Sequence, residues 1–224
     1  VKTGLYLLAN ELITNIAIVF CFAPFLLVLR KKLLYQKTYL LIGIYWLLTG
    51  LLNQYRFISH ATNNHLQAQL MFVRNLIGIH FVFVIFLISS KFTKRKGLFY
   101  SMLGFILFEA LILIWNGFEN GPNLLIIGMG SFLIIIHCIF GLVGYLKEIQ
   151  HSTFENTMAF TYASFLFAYS GSTLICLLNL FNVSNSTDPD EFFLYYVGIL
   201  LSSLLSCFGL WQYAEIPSFY KSKK

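Results

Sequence analysis

The chain has 224 residues, of which 58% are hydrophobic and 11% charged, against roughly 45–50% and about 25% in a soluble globular domain. With a mean hydropathy of +0.75, that much apolar surface cannot be hidden from water in a chain of this length, so soluble folds are excluded and the bilayer is the expected solvent. The formal net charge of +6 lies in short loops beside apolar runs, where it answers to membrane topology and anionic headgroups rather than to nucleic acid.

Crossing about 30 Å of hydrocarbon takes about 20 helical residues. The predicted spans are 5–29, 38–55, 69–90, 97–116, 123–146, 157–181 and 192–214. They give an all-α polytopic bundle of seven helices in one domain over residues 1–224. Pro24 falls inside the first span and predicts a kink, and RKK rather than a small-residue cleavage site follows that span. Arg30, Lys31, Lys32, Lys37, Lys91, Lys94, Arg95, Lys96, Lys147, Lys221, Lys223 and Lys224 make twelve of the 15 basic residues, all on one side of a seven-span chain. The opposite loops, HATNNHLQ, GFENGPN and NVSNSTDPDE, are poor in Lys and Arg. The positive-inside rule then places the N-terminus outside and the C-terminus in the cytoplasm.

Tyr35, Tyr39, Tyr100, Trp211 and Tyr213 fall at the expected cytoplasmic boundary, and Trp115, Tyr195 and Tyr196 at the outer one, as amphipathic rings prefer. Cys21, Cys138, Cys176 and Cys207 lie within spans, so no disulfide is expected. Two Asn-x-Ser/Thr sequons at Asn182 and Asn185 sit in an Asn/Ser-rich loop, where such matches arise by chance. Small residues recur every fourth position at Ser164, Ala168, Ser172 and Cys176, and again at Gly198, Ser202 and Ser206. Such faces serve helix packing, within the chain or between copies of it, or make spans six and seven a sliding pair in a conformational switch.

Ionisable groups inside a membrane cost at least ~2.5–3.5 kcal/mol and usually have partners. His80, Glu109 and His137 all fall near mid-span. They can form a hydrogen-bond network, line a ligand or proton site, or hold a metal or haem, since two His and one Glu match a zinc ligand set. Arg74 lies about 9 Å of helix rise on the outer side of His80. It either snorkels to headgroups or anchors an incoming carboxylate or phosphate, with Glu11 as resting partner. Glu11, Asn15, Asn53, Arg74 and His80 are the candidate ligand-binding residues, while His60, His65 and His151 read as solvated loop residues.

Several signatures are absent. The seventh span has no Lys for a retinal Schiff base, and no Asp/Glu-Arg-Tyr or Asn-Pro-x-x-Tyr motif occurs. No nucleotide-binding, zinc-protease or Gly-x-Ser-x-Gly motif is present either. The glycines at 128, 130, 141 and 144 in the fifth span have no counterpart three helices away, unlike a transporter built from broken-helix repeats.

The segment FLFAYSGSTLICLLN, Phe165 to Asn179, resembles the sixth span of small, uncharacterised bacterial seven-helix inner-membrane proteins, and loop spacing is similar too. The resemblance implies an inner-membrane protein, a sensory module acting with a separate signalling partner, and carries no catalytic residue. The expected function is a non-enzymatic, receptor-like sensor of a small ligand or lipid. Arg30, Lys31, Lys32, Lys94, Arg95 and Lys96 are its lipid or partner docking residues. No cofactor is predicted for that sensor. The alternatives are a zinc- or haem-binding enzyme or redox subunit on His80, Glu109 and His137, and an accessory subunit of a membrane complex or transporter.

Overall fold

In hydrocarbon every backbone N–H and C=O must be satisfied within its own segment, and a helix does that. The computed structural model describes residues 4–58, 64–89, 95–117, 120–180 and 189–212. These form α1 (Gly4–Arg30), a 3-10 turn (Leu33–Tyr35), α2 (Lys37–Ile58), α3 (Asn64–Ser89), α4 (Arg95–Asn116), α5 (Asn120–Leu146), α6 (Thr153–Leu180) and α7 (Pro189–Gln212). Each predicted span lies on one of these helices, with 90, 181 and 213–214 outside the described residues.

Six of the helices are long and apolar enough to cross a membrane. α2 has comparable length, 22 residues, but is less apolar because Tyr39, Tyr45, Trp46, Thr49, Asn53 and Gln54 interrupt its aliphatic run. Most of those side chains turn inward: Tyr39, Tyr45, Trp46 and Asn53 are buried.

Around the bundle α1 packs between α2 and α7, α6 between α5 and α7, and α3 against α2, α4 and α5. Phe86 of α3 meets Tyr162 and Phe165 of α6, and Tyr45 of α2 meets Phe165 edge-on at 4.9 Å, which fills the centre with rings. α4 is peripheral. Only 11% of its span is buried, against 39% for the spans of α3, α5, α6 and α7. Outward faces carry exposed apolar side chains such as Leu26, Leu107, Leu111, Ile114, Phe140 and Phe208. The hydroxyls of Thr161, Ser164, Ser202 and Ser206 are buried instead. This apolar-out, polar-in distribution suits a lipid surround and is the inverse of a water-soluble bundle.

Close approach of α5 to its neighbours depends on two glycines. A Cβ at Gly130 would lie 2.7 Å from Phe105 and 2.8 Å from Ile79, and one at Gly141 would lie 2.7 Å from the Tyr162 ring. The fifth-span glycines at these two positions are therefore packing residues. α4 ends on Gly117, whose φ of 65 and N–H bond to Leu113 O at 3.0 Å make a left-handed helix cap that favours glycine.

The small faces of α6 and α7 meet each other within the chain. The Ser164 hydroxyl donates to Ser202 O at 2.8 Å and lies 2.9 Å from the Ser206 hydroxyl, while Thr157 donates to Gly209 O at 2.9 Å. Ser164, Ser202 and Ser206 are buried in this contact, while Ala168 is buried beside it and Cys176 packs against Gly128 of α5, so these positions are not open to a second copy. Among the expected boundary aromatics, Tyr35, Tyr100, Trp115 and Trp211 are exposed. Tyr39 and Tyr196 are core residues instead, and Tyr213 lies outside the described residues.

Candidate functional site

The candidate residues separate into two places. The first is a cleft between α2, α3, α6 and α7, with about 540 Å³ of empty space counting its open mouth. Arg74 enters it from just inside the start of the α3 span, Phe72–Ser89. Its Nη1 donates to Asn53 Oδ1 at 2.8 Å and its Nη2 to Asn75 Oδ1 at 3.3 Å. Asn53 is set for this role because its Nδ2 donates to Thr49 O at 2.8 Å, leaving the carbonyl for Arg74. The guanidinium also lies over the Tyr195 ring, 5.5 Å from its centroid, within cation–π range.

Those bonds do not satisfy Arg74. A guanidinium has five N–H donors, and its buried Nε has no hydrogen-bond partner among the described residues. None of the described carboxylates lies within ion-pair distance of it. The expected Glu11–Arg74 pairing is not formed, because Glu11 and Asn15 sit on an exposed face of α1, a helix that contributes nothing to the cleft lining. Asn53 is fully buried and in place. His80 is absent from the lining and turns toward α4 instead.

The cleft floor is aromatic. The Tyr45 hydroxyl donates to Tyr169 Oη at 3.3 Å, and Gly78 leaves room for that contact, since a Cβ there would stand 3.2 Å from the Tyr169 oxygen. The mouth between α2 and α3 is flanked by Leu52 and Ile77, both exposed apolar residues. A basic group lining the cleft and exposed apolar residues at its mouth together suit an anionic group carried on, or reaching in from, an apolar body.

The second place is the α3–α4–α5 interface. His80 Nε2 lies 2.9 Å from Glu109 Oε2, with the two side chains 30% and 15% exposed. His137 is not with them. Its Nε2 lies 2.7 Å from the Ser101 hydroxyl, and Ser101 and Glu109 are eight residues apart on α4, about 12 Å along the axis. The Phe105 and Phe83 rings intervene, each about 6 Å from the neighbouring imidazole or ring. The expected three-ligand metal set of His80, Glu109 and His137 therefore does not converge on one ion. What the interface does hold is two separate interhelical polar pairs that fasten the peripheral α4.

Among the docking candidates, Arg30, Lys32, Arg95 and Lys96 are exposed. Lys31 is engaged. Its Nζ donates to Leu210 O at 3.3 Å and to Trp211 O, and lies 4.8 Å from the centroid of a Trp211 ring, capping the carbonyl end of α7 as a cation should. Lys94 lies outside the described residues, as do His60, Asn182 and Asn185.

Sequence reading missed Tyr45, Thr49, Asn75, Gly78, Tyr169 and Tyr195 as cleft residues, and Ser101 as the partner of His137. Asn75, adjacent to Arg74 in a run otherwise apolar, was the one local signal.

Fold and surface together define an integral membrane protein of the helical-bundle class with an arginine-bearing polar cleft. No family model, no curated protein and no solved structure matches the chain.

Proposed function

We propose that this chain is a non-enzymatic seven-helix sensor of the bacterial inner membrane, with its N-terminus outside and its C-terminus in the cytoplasm. Its Arg74 cleft takes a carboxylate or phosphate group from the outer side, and the bound state is passed to a separate signalling partner. One observation carries the reading: a charged side chain, half-buried among apolar helices, keeps a buried donor unsatisfied while Asn53, Asn75 and Tyr195 hold it in place. A buried donor without an acceptor costs about 1–3 kcal/mol, more when charged, and an anion removes that cost. The exposed Arg30, Lys32, Arg95 and Lys96 lie on the opposite end of the bundle, where a partner or anionic lipid would read the change.

The test is thermal stability of the detergent-solubilised chain against inorganic phosphate, succinate, and mixed micelles of phosphatidylglycerol or phosphatidylcholine. Wild type should be stabilised by an anion and Arg74→Leu should lose that response while still folding. A response to phosphatidylglycerol alone identifies a lipid headgroup, and one to phosphate or succinate identifies a free anion. An equal response in wild type and Arg74→Leu, or none to any anion, refutes the proposal.

A further inference from the structure

At the end of the bundle away from the cleft, the turn between α5 and α6 gathers three metal-ligating side chains. Glu148 lies two residues beyond the end of α5, His151 lies in the connection and Glu155 is in the first turn of α6. Their donor atoms all lie within 4.8 Å of one another. We propose that Glu148, His151 and Glu155 bind a divalent cation of the zinc class, which joins α5 to α6.

Two of the ligands are held in place before any ion arrives. Glu155 is 3% exposed, and its Oε2 accepts the Ser152 N–H at 2.7 Å while Ser152 Oγ accepts the Glu155 N–H at 3.3 Å. This reciprocal capping box starts α6 and fixes the carboxylate. The His151 imidazole stacks on Tyr145 with centroids 3.7 Å apart and planes at 19°. Tyr145 is itself anchored, its hydroxyl donating to Asn156 Oδ1 at 2.8 Å. Burial of an imidazole nitrogen normally comes with a hydrogen bond, yet His151 Nδ1 is buried without one among the described residues. A metal supplies such a nitrogen with a partner and orients the ring.

The donor set indicates the ion. Ligand bonds of about 2.1 Å in a tetrahedral site put donors about 3.4 Å apart, so the group needs to close by up to about 1.4 Å to take the ion. One imidazole with two carboxylates favours zinc-class ions over magnesium or calcium, which prefer oxygen alone. Two carboxylates balance a divalent charge, and the carbonyl end of α5 beside them favours a cation. Three protein ligands leave a fourth position for water.

The experiment titrates Zn²⁺ into the chelator-treated, full-length chain in detergent, with calorimetry and elemental analysis after desalting. Wild type should hold about one zinc per chain and rise in Tm, with no comparable response to Mg²⁺. Loss of an outer-shell partner weakens metal sites about 10–100-fold, so His151→Ala, which removes a ligand, should weaken binding by at least about 100-fold. Glu148→Gln, at an exposed position, keeps the size of the side chain, removes its charge and should weaken binding about tenfold or more. Absence of stoichiometric zinc overturns the proposal, and so does zinc binding that survives both substitutions, which would place the ion elsewhere. If His151→Ala proves unstable without metal, Glu148→Gln decides.

Discussion

The contact between Gly141 and Tyr162 sets how closely α5 and α6 approach, and Gly141→Ala measures it. The added Cβ would stand 2.7 Å from two ring carbons and 2.8 Å from a third, where apolar carbons prefer about 3.5–4.0 Å. The ring has no room to retreat. Tyr162 is fully buried and packs against Phe86 at 5.1 Å, so the overlap of about 0.8 Å must push the helices apart. Overpacking of this kind costs about 1–3 kcal/mol. Alanine also gains up to about 1 kcal/mol over glycine in a helix interior, and that term would blur the result if Gly141→Ala were measured alone. Gly104→Ala supplies the reference, because it lies mid-helix in α4 with nothing within 4 Å of the added carbon. The propensity gain is common to both, so their difference isolates the clash. At about 2–4 °C per kcal/mol for a chain of this size, Gly141→Ala should melt about 2–12 °C below Gly104→Ala. A thiol-reactive fluorophore reads the transition in detergent, since Cys21, Cys138 and Cys176 are buried until unfolding. Equal melting temperatures, or Gly141→Ala the higher, would refute the α5–α6 packing described above.

Other perturbations test separate parts of the bundle. Ser206→Ala strands the Trp46 indole N–H, which now donates to the Ser206 hydroxyl at 2.8 Å in a buried site, and should cost about 1–3 kcal/mol by the same melting assay. An effect no larger than that of Ser170→Ala, at an exposed position of α6, would count against the bond. For the α3–α4 fastening, a double-mutant cycle over His80→Leu and Glu109→Leu should return a coupling of about 0.6–1.7 kcal/mol, the range for polar pairs between membrane helices, and additivity would mean that the pair does not form. Gly78→Ala puts a carbon 3.2 Å from the Tyr169 oxygen, so it should weaken the anion response at Arg74, and a response equal to wild type would mean that the cleft floor does not shape the site. Lys31→Met should lower stability by about 0.3–1 kcal/mol through loss of the α7 cap, and an unchanged Tm would show that the cap contributes nothing.

Helix positions were legible because the bilayer imposes one rule on every span: a long apolar run that satisfies its own backbone. Rotation about each axis was not, and the site residues depend on it. Glu11 and Arg74 share a depth, yet Glu11 lies on the outer face of α1 while Arg74 turns into the cleft. Depth likewise grouped His80, Glu109 and His137, and a difference of eight residues along α4 between Glu109 and Ser101 separates them. His151 read as a solvated loop residue because the stacking of Tyr145 on it is a tertiary contact. The Ser152-x-x-Glu155 capping box beside it was readable from spacing alone, and would have drawn notice to a carboxylate fixed near that imidazole. The small faces of the sixth and seventh spans were visible as stripes, but nothing in a stripe says whether its partner belongs to the same chain.

α2 connects the cleft to the polar seam of α6 and α7. Tyr45 and Trp46 are neighbours on it, their rings edge-on at 5.3 Å. Tyr45 reaches Tyr169 in the cleft floor, and Trp46 reaches Ser206, which meets Ser164. A rotation of α2 that alters one contact must alter the other, because both rings leave the same turn of helix. Asn53, two turns farther along, holds Arg74, so the residue that would bind an anion is tied to this helix as well. Buried hydrogen bonds of this kind are costly to leave unmade, which ties the position of α2 to both contacts. Under the proposed function, an anion that neutralises Arg74 would shift the bundle only by the difference in its affinity for two positions of α2. The same residues make α2 less apolar than the other six described helices, and Tyr45, Trp46 and Asn53 are buried, where they link the cleft to the seam.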